Sequence, residues 1–180
     1  LEKRVSEKHQ REFESEALVH LDALLSAASR IVRNRHEAED VVQETYLRAW
    51  KYFGSFVRGS NCRAWLFRIM FNVINGRKGK QAKLAETHLE EDDASEPSRS
   101  NIIAFDPIRQ IEGHEVLEAA TRLPEEYRSA LWLVVVEEFS YKEAAEILDV
   151  PIGTIMSRLH RARRELRKLL SMDMTRNATG

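Results

Sequence analysis

Tyr141-Lys-Glu-Ala-Ala-Glu-Ile-Leu-Asp-Val-Pro-Ile-Gly-Thr-Ile-Met-Ser-Arg-Leu-His-Arg-Ala-Arg-Arg164 decides how this chain is read. A short helix over Tyr141–Leu148 runs into a turn at Asp149–Ile152, and a longer helix leaves that turn. Ala144, Ala145, Leu148, Val150, Ile155 and Leu159 are apolar where two crossed helices press together. Thr154, Ser157, Arg158 and Arg161 fall on the other face. This is a helix-turn-helix, the arrangement that offers its second helix to the major groove of DNA. A basic amphipathic helix alone is also what a solvated terminal helix looks like. The preceding helix and turn weigh against that alternative.

Charge is segregated outward from this motif. The 180 residues carry a net charge of −1, which argues against an indiscriminate nucleic-acid binder. Yet Arg58–Lys83 holds seven Lys/Arg and no acid, Glu86–Glu96 holds six Asp/Glu and no base, and Pro151–Leu170 holds six Lys/Arg against one Glu. Two anion-binding surfaces joined by an acidic tether follow from that order. Hydrophobic residues make up 43% of the chain and charged residues 32%, so a packed core under a well-solvated surface is feasible.

Several function classes lack the residues they need. Cys62 is the only cysteine, so no intrachain disulfide forms, and the scattered histidines offer no zinc spacing. No nucleophile–base pair and no Gly-rich phosphate loop is present, so no cofactor, no metal and no enzymatic activity are expected. Cys62 at a helix start reads either as a redox-sensitive thiol or as a small semi-buried residue, and the second reading is favoured. The strongly apolar run Ala130–Val136 is far too short to span a bilayer, so no membrane insertion is expected. The polar amino terminus shows no signal peptide, and a cytoplasmic location is expected.

Periodicity elsewhere is helical, and the expected fold class is all-α. A helix is expected over Glu12–Arg33, with Leu18, Leu21, Leu25, Ala28 and Val32 as its apolar stripe. Asn34 followed by Glu37 has capping-box spacing, and a second helix is expected over His36–Tyr52. A loop with two glycines spans Gly54–Asn61, and a third helix runs from Cys62 to about Lys78. The acidic, Ser-rich stretch 84–106 has a linker's composition. Helices are expected over Pro107–Arg122 and Pro124–Glu137, with Pro124 at a first helical position, before the helix-turn-helix. The last eight residues are expected to fray. Two small domains result, 13–83 and 107–172.

Two further faces invite a partner. On the second helix, Ala38, Val42, Ala49 and Phe53 form a core stripe, while Asp40, Gln43, Glu44 and Leu47 share one side at i, i+3, i+4 and i+7. That side is either a solvated face or a dock for a basic partner helix, and spacing alone favours the solvated face. The third helix mixes rings and bases. Trp65, Ile69 and Val73 make one line and Arg68, Asn72 and Asn75 a neighbouring one, with Trp50, Tyr52, Phe53 and Phe56 upstream. Rings that stack bases beside cations that meet phosphates hold single-stranded nucleic acid. Phe67 and Phe71 read as core. Arg63, Arg68, Asn72, Arg77 and Lys78 read as binding residues, since so many bases occur without one acid.

These stretches together resemble the bacterial extracytoplasmic-function sigma factors, small members of the sigma-70 family. The likeness rests on Ala38-Glu-Asp-Val-Val-Gln-Glu-Thr-Tyr-Leu-Arg-Ala-Trp50, on Arg63-Ala-Trp-Leu-Phe-Arg-Ile69 with Asn72, on Leu123-Pro-Glu-Glu-Tyr-Arg128, and on Ser140–Leu148 continuing through Val150–Arg163. It covers nearly all of 13–172, the linker in character only. The resemblance implies a transcription initiation factor that binds core RNA polymerase and promoter DNA and is controlled by an anti-sigma factor. It makes Asp40, Gln43, Glu44 and Leu47 the polymerase-docking face, reversing the preference from spacing. It makes Phe56, Arg58, Asn61, Arg63, Trp65, Arg68, Asn72, Asn75, Arg77 and Lys78 the surface that opens and reads the minus-10 element. It assigns the minus-35 element to Thr154, Met156, Ser157, Arg158, His160 and Arg161. Met156 stands where relatives often carry a base, and Gly76 and Gly79 leave little side chain beyond Asn75 for further contacts. The rival readings are a dimeric helix-turn-helix regulator acting alone and an adaptor that binds polymerase without supporting promoter opening.

Overall fold

A left-handed residue and an asparagine cap set the first sharp corner of the chain. Arg33 adopts φ 59°, and its N–H donates to the Ser29 carbonyl, closing one helix. Asn34 is extended, and its side-chain oxygen accepts the Glu37 N–H at 3.2 Å, opening the next. A side-chain acceptor of this kind satisfies one of the orphan donors at a helix start.

The structure, a computed structural model, describes residues 2–84 and 113–177. The expected linker beyond Leu84 and the helix start expected at Pro107 lie outside the described residues. Every regular element among the described residues is helical: α1 (Glu2–Glu16), α2 (Leu21–Val32), α3 (Arg35–Tyr52), α4 (Cys62–Leu84), α5 (Gly113–Thr121), α6 (Glu125–Leu131), α7 (Tyr141–Leu148) and α8 (Ile152–Asn177). The chain divides into two compact units. The amino-terminal one carries α1–α4. The carboxy-terminal one is built on α5, α6 and α8, with α7 leading into α8.

In the amino-terminal unit α2, α3 and α4 pack against one another. The core is Leu24, Ala27, Ala28 and Ile31 of α2, Ala38, Val41, Val42 and Ala49 of α3, and Leu66, Phe67, Met70, Phe71, Val73 and Ile74 of α4. Thr45 is also buried, and its hydroxyl donates to the Val41 carbonyl at 2.7 Å. The single helix expected over Glu12–Arg33 is broken. A 3-10 turn at Leu18–His20 separates α1 from α2. The Ala17 carbonyl at the break accepts both the His20 N–H (3.2 Å) and the Tyr46 hydroxyl of α3 (2.9 Å). That tertiary hydrogen bond satisfies an oxygen that leaves the helical ladder. Burial pushes the Tyr46 hydroxyl's pKa up to about 12, which keeps it a donor. The expected stripe shifts as well. Leu18 and Leu21 are exposed and Leu25 and Val32 half-buried, whereas Leu24, Ala27 and Ile31 are buried. Apolar residues on both sides of α2 let periodicity select the wrong one.

α4 runs past Lys78 to Leu84, through Gly76 and Gly79. A Cβ at either glycine would meet nothing within 4 Å, so neither marks a close approach. α8 likewise continues to Asn177, where fraying was expected from residue 173.

The carboxy-terminal unit buries Val116, Ala119, Ala120, Leu123, Ala130, Leu131, Trp132 and Leu133 before the helix-turn-helix, and Ile155, Leu159, Ala162 and Leu166 along α8. Pro124 precedes α6 as its cap residue, one position earlier than expected, and its carbonyl accepts the Tyr127 and Arg128 N–H groups. The helix expected to reach Glu137 turns π-helical over Trp132–Val136, where the Glu137 N–H donates to the Trp132 carbonyl at 3.0 Å. Glu138 then turns left-handed (φ 56°) and stops the helix. The β-branched run Val134–Val136 crowds a regular helix, which favours this widened turn.

Arg128 is only 5% exposed. Its guanidinium donates to the Thr121 carbonyl at 3.2 Å and the Leu123 carbonyl at 2.9 Å, where α5 ends. Charged hydrogen bonds are worth about 1.5–3 kcal/mol and orphaned buried acceptors cost about as much. Arg128→Ala should therefore destabilise the carboxy-terminal unit by about 2–3 kcal/mol in urea unfolding, with the Trp50 and Trp65 fluorescence of the amino-terminal unit unchanged.

Candidate nucleic-acid interface

The faces singled out from sequence are placed by the buried sides of three helices. On α3, Asp40, Gln43 and Leu47 are exposed and Glu44 half-buried, on the side away from Val41, Val42, Thr45 and Ala49. Leu47 is 61% exposed, an apolar group that the unit itself does not cover. Glu44 accepts from the Arg48 guanidinium at 2.7 Å, which holds its carboxylate along the helix. The geometry is an acidic and amide strip with an apolar knob at one end.

On α4, burial of Leu66, Phe67, Met70, Phe71, Val73 and Ile74 leaves Arg68, Asn72 and Asn75 exposed at i, i+4 and i+7. These three side chains share a solvent-facing strip. Other residues expected beside them are engaged elsewhere. Phe56 is buried, stacked on Phe53 at 5.7 Å with an interplanar angle of 8°, and it touches Trp65 at 5.0 Å. Phe53 is buried too, so of the upstream rings only Trp50 and Tyr52 offer exposed surface. Asn61 is exposed, but its side-chain oxygen accepts the Ala64 N–H at 3.0 Å and opens α4. Arg77 donates to the Asp40 carbonyl at 3.0 Å and ties the far part of α4 to the start of α3. Arg63 lies over the Phe67 ring at 5.6 Å, a cation–π arrangement. Arg58 pairs with Glu12 of α1. The Lys78 side chain lies outside the described residues. Spacing could not reveal the Arg58 and Arg77 partners, which come from tertiary packing, whereas the Asn61 cap and the Arg63–Phe67 pair lie only three and four residues apart on the chain.

Cys62 is buried, and burial pushes its thiol up to about 11, with the Glu16 carboxylate adding to the shift. A thiol held neutral is a poor nucleophile, which favours the semi-buried structural reading. His20 is lowered from its usual range by burial and by the Arg63 guanidinium. Among the described residues no group of three His, Cys, Asp or Glu side chains could hold a metal ion. No described helix is long and apolar enough to cross a membrane.

In the helix-turn-helix the structure adds an anchor that was missed. Ser140 and Glu143 form a full capping box. The Ser140 hydroxyl accepts the Glu143 N–H at 3.2 Å, and the Glu143 carboxylate accepts the Ser140 N–H at 2.9 Å. The S-x-x-E spacing was the available signal. α7 closes through Asp149, left-handed at φ 54°, with the Val150 N–H on the Ala145 carbonyl at 3.1 Å. Aspartate tolerates that conformation better than most residues. The Pro151 carbonyl then accepts the Thr154 N–H at 2.9 Å as α8 begins.

Ala144, Ala145, Ile155 and Leu159 are buried as expected, together with Ile147, while Leu148 and Val150 are half-buried. Along α8 the most exposed line is Gly153, Met156, His160, Arg164 and Arg167. Thr154, Ser157, Arg158 and Arg161 flank it, half-buried. The Ser157 hydroxyl donates back to the Thr154 carbonyl at 3.0 Å. Met156, 43% exposed, is therefore part of the presented face. Glu165 accepts from Lys168 at 3.0 Å and lies 3.5 Å from Arg164, which lowers its carboxyl pKa and tempers the local positive field.

Comparison with known proteins matches both units. Residues 18–83 match the family described as Sigma-70 region 2, and residues 113–166 match Sigma-70, region 4. The chain is 35% identical to the ECF RNA polymerase sigma factor EcfG of Rhodopseudomonas palustris (strain TIE-1), covering 87% of this chain and 83% of that one. It is 30% identical to the ECF RNA polymerase sigma factor SigW of Bacillus subtilis (strain 168), covering 84% and 85%. Its structure is similar to the sigma factor RpoE of Bartonella quintana, solved in complex with the anti-sigma factor NepR. The TM-score there is 0.68 at 32% identity, over 91% of this chain and 99% of that one. The two regions in order, and relatives matched over most of their length, show that the chain belongs to the extracytoplasmic-function sigma factors of the sigma-70 family.

Proposed function

We propose that this sigma factor divides its work among three surfaces over the spans 13–83 and 107–172, joined by the linker 84–106. The α3 strip of Asp40, Gln43, Glu44 and Leu47 docks on core RNA polymerase. The exposed α4 strip of Arg68, Asn72 and Asn75, with the Gly54–Asn61 loop, receives the melted minus-10 strand. α8 presents Met156 and His160, flanked by Thr154, Ser157, Arg158 and Arg161, to the minus-35 major groove. Arg164 and Arg167 on the same line meet phosphates. Phe56, Asn61 and Arg77 serve by positioning, through stacking, capping and the tie to α3. The observation that carries this reading is the α4 strip. Three polar side chains capable of base and phosphate contacts project together from a helix whose other side is core.

The chain supplies no reaction chemistry of its own and works in the cytoplasm, where polymerase and promoter are. An anti-sigma factor holds it inactive, a reading supported by the complex in which its Bartonella relative was solved. The two DNA contacts are weak alone. Once one is made on polymerase, the other becomes intramolecular, and avidity rises by on the order of 10²–10⁴.

The double substitution Asp40→Ala/Gln43→Ala should weaken binding to core polymerase about ten-fold or more. Its thermal stability should stay within about 1 kcal/mol of wild type, as for most exposed changes. Undiminished affinity in a competition assay against labelled sigma would remove the docking assignment. Asn72→Ala should lower promoter opening, followed by permanganate reactivity, by about ten-fold or more while leaving recruitment to closed promoter DNA intact. Equal loss of both would contradict a base-reading role.

A further inference from the structure

Arg58 is the only cation of the Gly54–Asn61 loop. It sits at the tip of a tight turn, where the Ser60 N–H donates to the Val57 carbonyl at 3.1 Å and Gly59 adopts φ 80°. That left-handed φ is what a type II turn demands of its third residue, and glycine meets it without strain. The turn points the Arg58 side chain at α1, where the Glu12 carboxylate takes it as an ion pair. Arg58 keeps a 67% exposed side chain, so an incoming anion can reach it.

α1 lies before the region 2 match, which starts at residue 18, yet it is built onto the base of this loop. Phe13 meets Phe53 edge-on at 5.0 Å and Trp50 at 5.1 Å, and His9 meets the same two rings at 5.2 and 5.3 Å. Phe53 in turn stacks on Phe56 of the loop. Glu12 is therefore held at the turn by an aromatic anchor one residue away, and it is no loose surface acid.

We propose that Glu12 is an intramolecular stand-in for a backbone phosphate of the unpaired minus-10 strand, occupying Arg58 until that strand displaces it. The proposal rests on the assignment of the loop and α4 to the minus-10 strand. The exchange is close to isoelectronic for Arg58: one anionic oxygen pair leaves as another arrives. For the complex it is not neutral. The Arg58–Glu12 pair must break before a phosphate can take Arg58, and salt screens that competing pair as well as the phosphate contact. The carboxylate thus lowers affinity for any single strand and offsets part of the salt dependence of the Arg58 contact. Strands that also satisfy the α4 strip overcome it; those offering only phosphates do not.

Removing the charge at constant size tests this. Holoenzyme carrying Glu12→Gln should bind a labelled single-stranded oligonucleotide of mixed sequence about two- to five-fold more tightly than wild type, the range set by exposed ion pairs. The slope of log K against log salt should steepen, by no more than the ~0.7 of one phosphate on a single strand. Arg58→Ala and the Arg58→Ala/Glu12→Gln double variant should bind alike. Lys8→Ala should match wild type, although Lys8 lies 3.9 Å from Glu12. No change in Glu12→Gln, or the same gain in the Arg58→Ala background, overturns the proposal with the loop assignment intact. Wild-type holoenzyme binding no better than core polymerase alone would instead overturn the loop assignment, and the proposal with it.

Discussion

The proposed DNA-facing surface of the amino-terminal unit depends on how α4 is buried. Phe67, Leu66, Met70 and Ile74 are almost fully enclosed against α2 and α3, and that packing fixes the helix's rotation about its own axis. A large buried apolar side chain is worth about 1.5–3 kcal/mol, so rotating even one of them into water is costly. With that face held, Arg68, Asn72 and Asn75 have only the solvent to face. Arg77 then secures the distal part of the helix to the α3 backbone at Asp40, within the acidic and amide strip. The residues proposed to read DNA and those proposed to hold the polymerase are thus carried by one core.

The carboxy-terminal unit reaches the same end by local means. The capping box at Ser140–Glu143 and the left-handed Asp149 define where α7 starts and stops, and Pro151 starts α8. Buried Ile155, Leu159, Ala162 and Leu166 then orient α8, so that Met156, His160, Arg164 and Arg167 line its outer face. A methionine in that line offers apolar contact to a thymine methyl but no bidentate hydrogen bonding to guanine. In the proposed minus-35 contact, specificity would lean on its neighbours and bulk affinity on the arginines beyond.

Most of the architecture was legible in the sequence because it is written locally. Asn34–Glu37 marks a helix start, Ala38, Val42 and Ala49 mark a core stripe, and the turn between α7 and α8 carries its own signals. The features that were not legible depend on partners distant in sequence. The α1–α2 break is supported by Tyr46, twenty-nine residues on from Ala17. The apolar stripe of α2 was misplaced because Leu18, Val19 and Leu21 are apolar yet exposed. Aromatic residues could be counted, but only packing tells buried Phe53 and Phe56 from exposed Trp50 and Tyr52. The same limit applied to Arg58 and Arg77, which look alike in a basic block: one pairs with α1 and the other holds a backbone carbonyl. The α3 strip was visible as a pattern, yet its proposed use in docking came from family likeness, since spacing alone favoured a solvated face.

On the proposed division of labour, two small helical units recognise separate promoter boxes only when both are mounted on core polymerase. Fluorescence anisotropy of a promoter fragment, titrated with this chain alone and with the chain plus core enzyme, tests that claim most directly. It predicts that discrimination against a scrambled fragment arises only in the presence of core enzyme, while the lone chain binds both fragments weakly and alike. Equal discrimination by the lone chain would contradict it.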